Sequence, residues 1–351
     1  MRVLLTTLGT AGDVTPFLSL ARALKGRGHE AVLSSFPLFR SLAEAGGVDF
    51  IPNRTEFTLE QHDTMSRRIK KSRNPRHQLR LMFEGLILYD ARNRFEDLRA
   101  LAAGFDLMVC HNMDICAHEA AIALGMPWVS TALHPFMIRD VRYFPGSPVR
   151  RDWLAPVNRM AWSAVSLLER SCIRKPIREF SRSVGNPERQ TGFFVPSPYL
   201  NLYAFPGRLT GFSDKSALNR CLTGPWMPDG DPGYRPPREL EDFLAAGPKP
   251  VAVTFGSVGG EDREETSRLL VEALRLSGQR GVIQKGWGDL PEAGGGEAVC
   301  FAGYIPHDWL FARSSFVIHH GGAGTTMAAV RAGLPSLGWP TGGISSSGGT
   351  V

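Results

Sequence analysis

The sequence predicts two doubly wound α/β domains within 351 residues. Short apolar runs alternate with stretches whose apolar residues recur every three to four positions, the pattern of parallel strands joined by crossover helices. The first apolar run leads directly into a glycine turn and a helix. The same succession begins again near residue 251, after an interval rich in Gly and Pro.

Residues 2–8 read as the opening strand, followed by the turn Gly9-Thr10-Ala11-Gly12. A helix follows, with Phe17, Leu20, Ala21 and Leu24 on one face; Thr15 and Pro16 mark its start, and Gly26 and Gly28 its stop. Further strands are expected at 30–36, 48–51, 107–111 and 128–131, and helices at 78–103, 114–124 and 156–184. These form a first domain over 1–205. Turn-forming composition over 206–250, including a short helix at 238–246, reads as an interdomain linker. The second domain, 251–351, shows strands at 251–255, 281–285 and 315–319, and helices at 262–277 and from 324 onward. Only about four strands are visible where a doubly wound domain usually has six, so this domain is expected to be incomplete.

Composition excludes several classes. With 43% hydrophobic and 21% charged residues and a mean hydropathy of -0.12, the chain is globular rather than disordered. No apolar run approaches the ~20 residues needed to cross a bilayer. A strand at 2–8 leaves no room for a signal peptide, so a cytoplasmic protein, at most peripheral to the inner membrane face, is expected. The net charge of +6 suits an anionic partner without choosing among nucleotide, lipid and nucleic acid. Part of it lies in the basic run 67–80, read first as a solvated helix and loop face and second as a membrane-surface patch. Five scattered cysteines form no disulfide framework. Cys110, His111, Cys116 and His118 match no zinc spacing and read as core.

Two constellations carry chemistry. In Gly9-Thr10-Ala11-Gly12-Asp13-Val14-Thr15-Pro16, Asp13 lies in a loop at the C-terminal end of a strand, where ligands bind in such folds. A carboxylate there accepts a proton from a substrate hydroxyl or merely supports the helix dipole, and the residues alone leave both open. The loop lacks the G-x-G-x-x-G spacing of a dinucleotide fingerprint. The second run is Ile318-His319-His320-Gly321-Gly322-Ala323-Gly324-Thr325-Thr326. It ends a strand in two histidines, turns on glycines and opens a helix, which is the construction of a diphosphate cradle. Asp229-Gly230-Asp231 matches a D-x-D metal motif but sits among prolines and glycines and reads as a turn.

The segment 306–335, with "PHDWLF", "HHGGAGTT" and "RAGLP", resembles the donor-binding signature of inverting nucleotide-sugar glycosyltransferases of the GT-B type. It is most similar to the branch of sterol 3β-glucosyltransferases and bacterial antibiotic and rhamnolipid glycosyltransferases. "GTAGDVTP" and "TFGSVGG" resemble the acceptor-side loop and second-domain entry loop of that branch. The resemblance implies two Rossmann-like domains facing a cleft, with metal-independent hexose transfer from a UDP- or dTDP-sugar to a lipophilic hydroxyl. It implies that Asp13 is the general base, with Thr10 and Gly12 on the acceptor side. It further implies that His320, Gly322, Gly324 and Thr325 hold the diphosphate beside Ser257. Tyr304 falls where relatives place a ring on the nucleobase, though core packing suits it equally. No metal or other cofactor is implied, only the nucleotide sugar as co-substrate, and no nucleic acid. Where relatives carry an acidic-Gln pair that grips the sugar, this chain has Ile344 and Ser345. A catalytically degenerate nucleotide-sugar-binding protein is therefore the competing reading.

Overall fold

A computed structural model describes the chain apart from residues 73, 136–137, 141, 146–150, 188–193, 211–218, 229, 232, 256–262, 287–289, 293, 295 and 340–351. The chain divides into two compact units, Met1–Pro228 and Asp229–Val351.

The first unit runs β1 (Arg2–Thr6), α1 (Ala11–Lys25), β2 (Glu30–Ser35), α2 (Arg40–Ala45), β3 (Asp49–Pro52), α3 (Leu59–Lys71), α4 (Pro75–Met82), α5 (Ala91–Ala102), β4 (Leu107–His111), α6 (Ile115–Ala123) and β5 (Trp128–Ala132). It continues with α7 (Ala155–Glu169), α8 (Lys175–Ser183), β6 (Leu200–Tyr203), α9 (Gly207–Thr210) and β7 (Arg220–Leu222). The strands form one sheet in the order β3-β2-β1-β4-β5-β6-β7, with every pair parallel. Alternate residues of each strand feed two cores. Leu4, Met108, Cys110 and Trp128 enter one; Val3, Leu5, Val109 and Val129 enter the other. Burial on both faces explains why these strands read as continuous apolar runs.

Several boundaries differ from expectation. Helix α1 begins at Ala11, one turn before Thr15, because Thr10 and Asp13 form a capping box, and Pro16 is carried inside the helix. The expected helix over 78–103 is interrupted by a π-helical turn at Phe83–Ile87 and by Asp90, whose φ of 49° no regular helix allows. The 156–184 helix contains a second π turn at Arg170–Arg174. The composition-based linker at 206–250 is corrected: β7 within it pairs with β6 and closes the first sheet. A three-residue edge strand among turn residues has too few positions to show a period.

A buried ion pair anchors the inner layer. Arg94 donates to Asp114 at 2.7 Å, with both side chains almost wholly buried. Asp114 also caps α6 through the Ala117 N–H. Cys110 and Cys116 are core thiols, and burial pushes Cys116 up to about 12. In the basic run, Arg68, Lys71, Arg76 and Arg80 are solvent-exposed.

The second unit runs α10 (Arg238–Ala245), β8 (Val251–Thr254), α11 (Arg263–Leu276), β9 (Gly281–Gln284), β10 (Val299–Ala302), α12 (His307–Phe311), β11 (Phe316–His319), α13 (Ala323–Arg331) and β12 (Ser336–Gly338). Its sheet, order β10-β9-β8-β11-β12, is also parallel. Among the described residues it has five strands, one more than the about four expected. Leu310 and Phe311 are core residues. Among the described residues no helix is long and apolar enough to cross a membrane.

Candidate functional site

Each sheet reverses strand order once, between β1 and β4 in the first unit and between β8 and β11 in the second. Such switch points leave a crevice outside the carboxyl ends of the strands. Both sequence-derived constellations lie at one of them.

In the first unit, Thr10 and Asp13 are locked together before α1. The Asp13 Oδ2 accepts from the Thr10 N–H at 2.8 Å and from its hydroxyl at 3.2 Å. The Thr10 Oγ1 accepts in turn from the Gly12 N–H at 3.3 Å. Gly9 has φ of 116°, and a Cβ there would collide with the Asp13 carboxylate. Only glycine therefore meets both the backbone and the space requirements at that turn.

The other carboxylate oxygen, Oδ1, faces His111 Nε2 at 3.8 Å. His111 ends β4, and its Nδ1 accepts from the Met113 N–H at 3.3 Å. That bond assigns the ring proton of neutral His111 to Nε2, on the side of Asp13. Burial lowers the His111 pKa against the pull of the Asp13 carboxylate. His134, just beyond β5, is pushed by burial down to about 4 and also feels Asp13 and His111. Asp13 thus sits beside two histidines held neutral at pH 7. In the sequence His111 stands out only within the Cys110–His118 cluster, which matches no zinc spacing, and nothing local marks His134. Their places at the ends of β4 and β5 were the available signal, but it needs the strand order to be read.

In the second unit, β11 delivers the chain to the N-terminus of α13. His319 is buried, and its Nδ1 accepts from the Gly321 N–H at 3.1 Å. Gly321 turns the chain with φ of 84°. Gly322 is the N-cap and offers no side-chain cap, so the first amides of α13 have no side-chain acceptor there. The Thr326 hydroxyl donates to the Gly322 carbonyl at 2.9 Å. The His320 ring lies over the cap: a Cβ on Gly322 would collide with its Nε2, whereas one on Gly324 would meet open space. Thr325 is buried in the first turn. His320, Gly322, Gly324 and Thr325 are thereby gathered at one helix terminus.

The remaining assignments divide. Tyr304 is 78% exposed, which removes the core-packing reading. Ser257 lies outside the described residues, as do Asp229, Ile344 and Ser345. Asp231 closes a turn by accepting from the Gly233 N–H at 2.9 Å. Trp309 packs edge-on against Tyr234 at 5.4 Å.

Comparison with known proteins decides the family. Residues 3–126 match the model of the glycosyltransferase family 28 N-terminal domain. The chain is 30% identical over 357 residues to O-mycaminosyltylonolide 6-deoxyallosyltransferase of Streptomyces fradiae, covering 96% of this chain and 80% of that one. The chain belongs to this glycosyltransferase family. It is also 25% identical over 360 residues to sterol 3-beta-glucosyltransferase UGT80A2 of Arabidopsis thaliana, covering 96% of this chain but 54% of that protein. It spans about half the length of such plant relatives. Among solved structures, the glycosyltransferase SsfS6 of Streptomyces sp. SF2575, complexed with thymidine diphosphate, superimposes with a TM-score of 0.61 at 18% identity, covering 99% of this chain and 84% of that one. The glycosyltransferase fold is GT-B, with two parallel-sheet domains.

The histidines at the second switch point set a pH dependence. Burial holds His307 and His319 neutral, with pKa values of about 4 against about 6.5 in an unfolded chain. Between those values the unfolded state binds more protons, so stability is complete above about pH 6.5 and falls as pH drops toward 4. Each unit of displacement is worth about 1.4 kcal/mol at most. Calorimetric melting from pH 7 to 4.5 is expected to show this loss, and His319→Gln is expected to flatten it. An unchanged slope in that variant contradicts the assignment.

Proposed function

We propose that this glycosyltransferase moves a hexose from a UDP- or dTDP-sugar to a hydroxyl of a sterol-, polyketide- or lipid-like acceptor, with inversion and without a metal ion. The observation that carries this reading is the uncapped N-terminus of α13 with His320 laid over Gly322. Backbone amides and the helix dipole suit a diphosphate, and the open space at Gly324 admits its oxygens. The thymidine diphosphate bound to SsfS6 supports the nucleotide class. The named relatives support the acceptor class, a sterol in one and a tylonolide in the other. The exposed ring of Tyr304 offers a face for the nucleobase.

Asp13 then removes the acceptor proton through Oδ1, while the Thr10 contacts hold Oδ2 in place. Thr10 and Gly12 shape the acceptor side of the loop. His111 orients the carboxylate. The acceptor oxygen bonds to the anomeric carbon as the bond to the diphosphate oxygen breaks, inverting that centre. The charge released collects on the diphosphate, which the α13 amides and His320 stabilise. Ser257 is assigned beside the diphosphate by its motif. Cytoplasmic placement, peripheral at the inner membrane face, accompanies this reading.

Replacing His320 by alanine is expected to weaken UDP or dTDP binding measured by calorimetry and to slow transfer by about 10²-fold, the scale of one lost charge-stabilising donor. Neither EDTA nor added divalent ions should alter the rate, and loss of activity in EDTA would return attention to Asp229 and Asp231. Product anomeric configuration by NMR checks inversion. A second reading, nucleotide-sugar binding without turnover, is favoured by Ile344 and Ser345 at the sugar-gripping positions. Tight nucleotide binding with no transfer across a panel of sterol, polyketide and lipid alcohols would establish it instead.

A further inference from the structure

Helix α7 has two apolar faces, and the described residues cover one of them. The inner face is pinned by Trp162, whose indole N–H donates to the carbonyls of Asp140 and Tyr143, both at 3.0 Å. Asn158, one turn earlier, is buried beside it. With that face fixed, the opposite one points to solvent.

That outer face begins just before the helix at Trp153 and continues through Val157, Met160, Ala164 and Leu167. The spacing of four, three, four and three keeps these residues on one stripe. Trp153 is 77% exposed, Val157 52%, Met160 75% and Leu167 65%. At 1.5 Å per residue the stripe is about 20 Å long. Isolated exposed apolar residues are ordinary, but a contiguous row on one helix marks an interaction surface.

The charges around the stripe select the partner. Within α7 the charged residues are Arg159, which is exposed, and Glu169, which turns inward to Arg174 at 3.6 Å. Arg151 and Arg170 stand exposed at the two ends. Asp152 at the entry lies within the field of Arg142, whose own ion-pair partner is Asp140. Past Arg170 the helical rod continues through the π turn into α8, where Arg174 is paired with Glu169 and Lys175 with Glu179 at 3.9 Å, and Arg178 and Arg182 add further positive charge. An apolar row containing Trp, Met and Leu, edged and extended by cations, is the composition of a helix that lies in a bilayer interface.

We propose that the α7 stripe docks on an anionic lipid surface. Trp153, Met160 and Leu167 enter the headgroup and acyl boundary, while Arg151, Arg159 and Arg170 meet lipid phosphates. The inference deepens the reading of a lipophilic acceptor by naming the phase that supplies it. It places the contact on α7, not on the basic run 67–80.

The test is vesicle flotation of the full chain with phosphatidylcholine alone and with phosphatidylcholine mixed with phosphatidylglycerol. Binding is expected only to the anionic vesicles and is expected to weaken as salt rises. Met160→Ser and Leu167→Ser are each expected to weaken it by about tenfold or more. Arg159→Gln and Arg170→Gln are each expected to weaken it about fivefold. All four positions are exposed, so melting temperatures should match the parent. No sugar transfer is needed for the measurement, so failure of the glycosyl-transfer reading would leave it intact. Absence of binding, or binding unchanged in the serine variants, would overturn the proposal. So would serine variants that abolish dimerisation in sedimentation, or that raise the acceptor KM in vesicle-free assays, without changing flotation. Those results would give the stripe to a second copy or to the acceptor.

Discussion

Replacing Asp13 by asparagine is expected to lower sugar transfer by about 10²–10⁴-fold, the usual cost of losing a general base, while UDP or dTDP affinity stays within a few-fold of the parent. The separation follows from the architecture: Asp13 belongs to the first unit and the helix terminus assigned to the diphosphate to the second. Asparagine keeps an oxygen for the Thr10 amide, so the capping box and α1 survive. His111→Phe removes the Nε2–H that faces Oδ1 at 3.8 Å and is expected to give a smaller loss, with a shifted pH profile of kcat/KM. Transfer within a few-fold of the parent in Asp13→Asn would reduce Asp13 to a helix cap. Nucleotide affinity lost together with transfer would point instead to misfolding of the loop.

Arg94→Met is expected to destabilise the first unit by about 3–5 kcal/mol, because it leaves the Asp114 carboxylate buried without its cation. That is a large share of the 5–15 kcal/mol typical of a domain. The double variant Arg94→Met with Asp114→Asn is expected to recover much of the loss, since asparagine still caps α6 and carries no charge. Urea titration with near-ultraviolet circular dichroism measures both. A single variant as stable as the parent would mean that water reaches Asp114. Equal losses in the single and double variants would locate the effect in the packing of the Arg94 stem and its guanidinium, which lies 5.5 Å from the Phe36 ring centroid.

Much of this was legible in the chain. The apolar runs at β1, β2, β3, β4, β5, β8, β9 and β11 announced themselves, most of them because parallel strands buried on both faces admit few polar residues. Strands β6, β7 and β10 did not, because they are set among turn formers and, unlike the equally short β8 and β9, are only partly buried. Thr15-Pro16 looked like a helix start, but the capping box at Thr10 and Asp13 begins the helix earlier. The basic run was conspicuous by charge, whereas the α7 stripe was hidden. Periodicity shows that a residue lies on an apolar face, not whether that face meets protein. The apolar residues of the 153–168 stretch look alike in sequence whether they enter the core, line a cleft or face solvent, and Trp153 and Leu167 prove to be exposed.

By itself, then, the sequence determined the α/β class and the two glycine-bearing loops that open α1 and α13. It also determined the residue types able to accept a proton or cradle a diphosphate, because strand period, helix capping and glycine turns are local. Only the tertiary structure decided the strand order that puts β4 beside β1 and β11 beside β8. That order brings His111 to Asp13 across 98 residues of chain. A parallel sheet pairs strands that are remote in sequence, and the register that sets such neighbours depends on packing across the whole sheet, which no local window contains.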